Sequence, residues 1–264
     1  MDLNCFLNSS WTVYSGDRWS IIQGDCIDVM QTMQEGFADV IITSPPFNLG
    51  TSSGGGFPKK KTGKWSGGSL ASGYGQYNDA MPKEEYKQWQ SQFLQEAWKH
   101  INDNGALYYN HKPRIQNGLA ELPIEWNPGL PLRQIITWKR NGGINFSPSH
   151  YLPTYEWIML FAKKNFRLKN KKVSGIGDVW EIAAEKNTDH PAPFPLELPN
   201  KILKSIKQTQ GIVFDPFSGS ATTGVAALQN GFQYIGIELE EKFIKSSITR
   251  LKRTEAKLSK DLFL

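Results

Sequence analysis

Short runs of apolar and β-branched residues alternate along the chain with longer segments whose apolar positions recur every three or four residues. The short runs have the pattern of strands buried on both faces, as in parallel sheets. Ile21-Ile22 leads into QGDCIDVM, which predicts a strand ending at Gly24-Asp25 and a helix after it. Residues 38–44, ADVIITS, form a near-continuous apolar strand. ALYYN (106–110), RQIITWK (133–139), YEWIMLFAK (155–163), GIVFD (211–215) and QYIGIELE (233–240) read as further strands. The segment 81–101 carries Tyr86, Trp89, Phe93, Ala97 and Ile101 as one buried helical stripe. Pro82, Glu84 and Glu85 suit its first turn, and Gly105 closes the unit. TTGVAALQNG predicts another helix, and Ile244, Ile248 and Leu251 mark one face of a closing one. Strands alternating with helices predict an α/β fold with a mostly parallel sheet, as one domain over residues 1–264.

Residues 50–78 break the pattern. They are rich in Gly, Ser and Lys and show no period. So long a loop is uncommon unless functional, and a mobile loop is expected there. The longest apolar runs fall well short of a membrane span. The first residues lack a basic region followed by an apolar stretch, so no signal peptide is expected and a soluble, cytoplasmic protein is. Cys5 and Cys26 form no CxxC pair, and His100, His111, His150 and His190 are scattered. Neither a disulfide framework nor a metal centre is expected.

The chain of 264 residues has a net charge of +5. KKNFRLKNKK, residues 163–172, holds six basic residues and no acid, and FPKKKTGKW, residues 57–65, holds four more. Basic runs are usually solvated surface. Phe57, Trp65 and Phe166 sit among these charges, and that mixture suits nucleic acid.

Two turns carry the candidate chemistry. In the first, the strand at 38–44 leaves through Ser44-Pro45-Pro46-Phe47. Read alone, this is either a rigid strand end or a corner that holds a flat substrate. The second is FDPFSGSATTG, residues 214–224, a strand, a small-residue turn and a helix start, followed about twenty residues on by an acid, Glu238, at the next strand end. That arrangement has the geometry of a Rossmann-type ligand site, with small residues for close backbone approach and an acid for ribose hydroxyls; the plainer reading, a tight strand-to-helix turn that binds nothing, is weakened by the acid at that spacing. Phosphate-loop spacing fails in PKKKTGKW, where Pro58 and Trp65 occupy required positions, and in GSATTGV, where Val225 replaces the lysine. The dinucleotide fingerprint fails at Ala221. A nucleoside ligand without a required phosphate cradle fits better.

These residues bring a family into view. DPFSGSATTGVAAL resembles the cofactor motif of S-adenosylmethionine-dependent amino DNA methyltransferases, with Ala221 where that family usually has glycine. TSPPFNLG resembles their catalytic motif, and GDCIDVM and HPAPFPLELPNKIL resemble two further blocks. The match runs from about residue 20 to 245, and the catalytic motif precedes the cofactor motif, as in the beta class. The resemblance implies a Rossmann-like sheet of about seven strands, one antiparallel, with both motifs meeting at the carboxyl ends of neighbouring strands.

The resemblance also implies roles. The target base is flipped out of the duplex. Phe47 would stack on it, Ser44 would accept from its amine, and Pro45 and Pro46 would leave backbone carbonyls free for the same purpose. Asp25, Cys26, Asp215, Phe217, Gly219, Ser220, Thr222, Thr223 and Glu238 would bind S-adenosylmethionine, with His190, Pro191 and Phe194 at its methionine end. Lys59, Lys60, Lys61 and Lys64 in the 50–78 loop, and Arg167, Lys169, Lys171 and Lys172 in a small recognition region at about 164–188, would contact DNA. No metal and no covalent nucleophile is required. Ser at the first catalytic position goes mostly with N4-cytosine in the family, so that base is expected before N6-adenine. A nucleic-acid-binding protein with an inactive fold is a third reading. The implied partner is double-stranded DNA, with a restriction endonuclease of the same restriction-modification system beside it; monomer and homodimer both remain open.

Overall fold

The structure is a computed structural model that describes Leu7 and residues 10–48, 80–116, 118–140, 148–183 and 195–261. In chain order the strands are β1 (Thr12–Ser15), β2 (Trp19–Gln23), β3 (Ala38–Thr43), β4 (Ile101–His111), β5 (Arg114–Gln116), β6 (Leu119–Glu121), β7 (Leu132–Lys139), β8 (Tyr155–Ala162), β9 (Val179–Glu181), β10 (Ile212–Asp215) and β11 (Gln233–Glu238). The helices are α1 (Cys26–Gln31), α2 (Lys83–Lys99), α3 (Lys171–Ser174), α4 (Glu197–Ser205), α5 (Thr222–Gln229) and α6 (Glu241–Asp261).

Nine of the described strands form one sheet in the order β1-β2-β11-β10-β3-β4-β8-β7-β9. From β2 to β4 every pairing is parallel, and β8 runs antiparallel to both β4 and β7. The inner seven strands are therefore the expected Rossmann-like sheet with one reversed member. The short β1, antiparallel to β2, and β9, parallel to β7, extend its two edges.

Alternation along each strand feeds two cores. Val40, Ile42 and Val213 join residues of α4, α5 and α6 on one face, including Ile202, Val225 and Ile244. Ile41, Ile212 and Phe214 join Met30, Phe93 and Ala97 of α1 and α2 on the other. Both faces of the sheet are covered, which is why its strands read as unbroken apolar runs. Gly224 lets α5 lie close on β11, since a Cβ there would meet the Tyr234 ring at 2.6 Å.

The helix at 81–101 differs from expectation at its end. His100 caps α2, and Ile101 opens β4, paired with Ala38. The polar stretch 102–105 forms an irregularity between the Ala38–Ile101 and Val40–Ala106 pairs, where Gly105 passes so close to β3 that a Cβ would meet the Asp39 carbonyl at 2.7 Å. The strand expected from residue 106 is the buried half of that longer element.

Candidate active site

The parallel strands end at one edge of the sheet, and the two turns singled out in the sequence meet there. An open cleft of about 570 Å³ lies between them, lined by Gly24, Asp25, Cys26, Ser44, Pro46, Trp89, Phe217, Gly219 and Glu238 together with Pro216 and residues 237–240. Asp25 caps α1 by accepting from the Ile27 and Asp28 N–H groups at 2.8 and 3.3 Å. Trp89 and Phe217 lie with ring centroids 5.8 Å apart, and Phe217 packs on Phe93 at 4.8 Å.

Glu238 closes the turn it was expected to face. One carboxylate oxygen accepts from Gly219 N–H at 2.7 Å and the other from Glu240 N–H at 2.8 Å. Burial pushes this carboxyl up to about 7, although both N–H donors pull it down. Each carboxylate oxygen has a second lone pair, so the group can still accept from a ligand hydroxyl. Gly219 is held at a φ of 52° and Ala221 at 57°, both in the left-handed region. The departure from glycine at 221 therefore falls on a strained position, at a cost of about 1 kcal/mol.

The Ser44-Pro45-Pro46-Phe47 corner is clamped from outside the cleft. The Tyr86 hydroxyl donates to the Pro46 carbonyl at 2.6 Å, and His111 Nε2 lies 2.6 Å from that hydroxyl. Gln90 reaches Tyr86 at 2.7 Å and Tyr109 donates to Gln90 at 2.8 Å. Arg114 donates to the Phe47 and Asn48 carbonyls, and its other arm pairs with Glu121 at 2.6 Å. Asn48, at a φ of 55°, exchanges two hydrogen bonds with the Met81 backbone. The Pro46 and Phe47 carbonyls are thus committed to the fold. Among the described residues, no hydrogen bond is made to the Pro45 carbonyl, so the expectation of several free carbonyls narrows to this one.

Ser44 is half-buried, and its hydroxyl donates to the Asn110 side-chain oxygen at 3.2 Å. Asn110 in turn donates to the Trp157 carbonyl. With its proton directed at Asn110, Ser44 Oγ has lone pairs to offer an incoming amine. The Phe47 ring is half-buried and lies 4.6 Å from the His111 ring. Burial holds His111 down at about 3, so this neighbour is uncharged at neutral pH. Burial also raises the Cys26 thiol well above its usual value, with Asp25 adding to the effect. Cys26 is a neutral wall rather than a nucleophile.

Residues 38–249 match the DNA methylase family. The chain belongs to that family. The methylase is 28% identical over 256 residues to the type II methyltransferase M2.MboI of Moraxella bovis, covering 88% of this chain and 87% of that one. It is 22% identical to the DNA adenine methyltransferase YhdJ of Escherichia coli (strain K12), covering 91% and 85%. Its fold is similar to that of PvuII DNA methyltransferase (cytosine-N4-specific), with a TM-score of 0.68, 18% identity and coverage of 90% and 87%. M1.HpyAVI, solved as a SAM complex, has a TM-score of 0.56, 20% identity and coverage of 88% and 99%.

Not every expected residue of the methylase reaches the cleft. Asp215 is buried below it, accepting from Thr43 at 2.7 Å and from Phe217 N–H at 3.1 Å. Burial pushes its carboxyl up to about 6 against those donors and Thr223. The Thr223 hydroxyl also lies 3.3 Å from the Ile42 carbonyl, so Asp215 and Thr223 tie β10 and α5 to β3. Ser220 and Thr222 turn to Arg250 of α6, at 2.8 and 3.1 Å. These four support the turn from behind, because the strained backbone at 219–221 aims only Gly219 at the cleft. His190, Pro191 and Phe194, the loop at 50–78 and Lys59, Lys60, Lys61 and Lys64 lie outside the described residues.

The basic run changes place. β8 is antiparallel to β4, with Ala162 opposite Ala106, so the chain leaves β8 at the edge where β4 begins. Lys163 N–H donates to the Gly105 carbonyl, and Leu168 bridges Ile206 beyond α4. At a rise of about 3.3 Å per residue, more than 15 Å of sheet separates this edge from the one that carries Ser44. Arg167, Lys169, Lys171 and Lys172 therefore sit away from the cleft, and Phe166 is a core residue rather than a stacking platform. The position of a basic run in sequence says nothing about which sheet edge it lands on.

Trp89, Asn110, Arg114 and the Tyr86-Gln90-Tyr109 clamp had no such role in the sequence reading. Trp89 stood in the helical stripe as core, and the period alone could not show that its end of the helix overhangs a cleft.

Proposed function

We propose that this methylase transfers a methyl group from S-adenosylmethionine to the N4 amine of a flipped-out cytosine in duplex DNA. The observation that carries the reading is Ser44, whose hydroxyl proton is turned to Asn110 at the strand end that leads into Phe47.

The cleft suits the cofactor. Asp25, Glu238 and Glu240 make one end of it acidic, which matches a sulfonium cation and two ribose hydroxyls. Gly24 and Gly219 allow close approach, and Trp89 and Phe217 provide flat apolar walls for an adenine. When bound, S-adenosylmethionine supplies an electrophilic methyl group on a good leaving group.

The remaining work falls to the chain. An exocyclic amine is a weak nucleophile because its lone pair is delocalised into the ring. Two acceptors aimed at its hydrogens, Ser44 Oγ and the Pro45 carbonyl, favour a pyramidal nitrogen with an exposed lone pair. The two prolines fix the corner, and Tyr86 and Arg114 hold it from behind, so little reorganisation is needed at reaction. Phe47 stacks on the flipped ring at one side.

Ser at this position favours N4-cytosine over N6-adenine through the family resemblance, and PvuII methyltransferase, of similar fold, is cytosine-N4-specific. Nucleoside analysis of duplex DNA after labelled methyl transfer tests this. N4-methylcytosine is expected; N6-methyladenine alone would reassign the base. DNA binding without any methyl transfer would favour an inactive binding protein. Action within a restriction-modification system is the accompanying reading, supported by type II relatives such as M2.MboI.

A further inference from the structure

Taken strand by strand, the carboxyl edge of the sheet is electrically divided. On the cofactor side stand Asp25 after β2, Glu238 and Glu240 at the end of β11, and Asp215 at the end of β10. Beyond Ser44 the sign changes. Lys112 follows β4, Arg114 stands two residues further on, and Lys139 and Arg140 end β7.

Two of these cations are incompletely matched. Lys112 and Arg140 share a single buried carboxylate, Glu156 at the start of β8. Arg140 Nη1 pairs with it at 3.0 Å, while the buried Arg140 Nε has no hydrogen-bond partner among the described residues. The Lys112 ammonium makes no ion pair among the described residues. Burial lowers its pKa, and Arg140 and Arg114 lower it further by repulsion, while Glu156 opposes them. Arg114 is neutralised by Glu121 and donates through Nη1 to backbone carbonyls, although its Nε, like that of Arg140, has no hydrogen-bond partner among the described residues.

The place of this pair is fixed by register. Asn110, which holds the Ser44 hydroxyl, faces Ile158 on β8, and Trp138 of β7 faces Glu156. Lys112 and Glu156 thus stand level on neighbouring strand ends, two residues beyond the group that orients Ser44, and Arg140, two residues past Trp138, reaches back to Glu156. A flipped nucleotide with its base at Phe47 would have its backbone at the mouth of the corner, where a phosphate would meet these two cations.

We infer that Lys112 and Arg140 bind a backbone phosphate of the DNA strand that carries the target base. The inference rests on the DNA-methylating reading above and adds which face of the protein the strand follows. Arg140 offers a planar donor fork and Lys112 a point charge, a pairing that suits the two non-bridging oxygens of a monoanionic phosphodiester. An incoming phosphate would discharge the repulsion between the two cations.

The salt dependence of duplex binding tests it. Log affinity against log salt has a slope of about −0.9 per phosphate neutralised. Lys112→Gln should flatten that slope by about 0.9 and weaken binding several-fold at low salt. Removing Arg140 alone would strand Glu156, so the paired variant Arg140→Gln with Glu156→Gln is used, and it should behave likewise. Arg167, Lys169, Lys171 and Lys172 changed together to Gln should leave the slope as it was. S-adenosylmethionine affinity and thermal melting, measured on each variant, identify any that lose affinity through misfolding. A wild-type slope retained in both folded variants overturns the assignment while leaving the functional reading intact. A wild-type chain that neither binds nor methylates duplex DNA removes both.

Discussion

The Ser44 hydroxyl and the Asn110 carboxamide oxygen lie 3.2 Å apart, although 66 residues separate them in sequence. The parallel pairing of β3 with β4 makes this contact, with Thr43 opposite Tyr109. Asn110 fixes the direction of the Ser44 proton, and through it the direction of the lone pairs that meet the substrate amine. Ser44→Ala is expected to lower kcat by about 10²-fold while changing S-adenosylmethionine affinity less than about twofold. Asn110→Asp keeps an acceptor for the hydroxyl and should retain more turnover than Asn110→Leu. Equal loss of kcat and cofactor affinity in Ser44→Ala would assign the residue a structural role.

Phe47 is expected to act through its ring face. Phe47→Ala should cost about 1–3 kcal/mol in binding DNA with a flipped base, and Phe47→Trp should recover most of it. A fluorescent base analogue at the target position reports the flipped state directly. An unchanged signal in Phe47→Ala would place the ring outside the base pocket.

Glu238 predicts a pH dependence. Its folded pKa, about 7, lies above the ordinary carboxyl value of 4.5. The folded protein therefore holds a proton that the unfolded chain has already lost in that window. The associated stability is present below about pH 4.5 and is lost as pH rises through about 7, by up to about 3 kcal/mol. Glu238→Gln should flatten the stability of the ligand-free protein between pH 5 and 8, read by denaturant unfolding. A wild-type profile as flat as that of the variant would contradict the burial argument.

Arg114 and Glu121 combine stability with positioning. Both side chains are buried, so Arg114→Ala alone leaves the Glu121 carboxylate with only the half-exposed Lys83, at 3.2 Å, at a cost of up to about 3–5 kcal/mol. Arg114→Met with Glu121→Leu should restore most of that stability. It should not restore kcat, because the Phe47 and Asn48 carbonyls would still lack the guanidinium that holds the corner. Full activity in the double variant would show that the corner needs only its prolines and Tyr86.

The local chemistry of the chain was legible without a structure. The apolar runs at 38–44, 211–215 and 233–240 became β3, β10 and β11, because a strand covered on both faces must be apolar at every position. The SPPF corner and the small-residue turn were legible for a related reason. Proline and glycine impose backbone geometry that other residues do not, so the sequence itself marks where the chain must bend or admit a ligand. Glu238 followed from its spacing after Asp215, since one crossover helix links adjacent parallel strands.

What the sequence left undecided is everything that depends on which strand lies beside which. Asn110 faces Ser44 only because β4 pairs with β3. Trp89 reaches the cleft only because α2 overlies that strand end. The run at 163–172 has the composition of a DNA contact, yet the reversed direction of β8 carries it to the far edge of the sheet. Lys112 and Arg140, each unremarkable in sequence, come together across β8 near Ser44. Charge and periodicity are local properties of a chain. The sharing of an edge is set by hydrogen-bonded register between distant segments, and only the folded sheet fixes that.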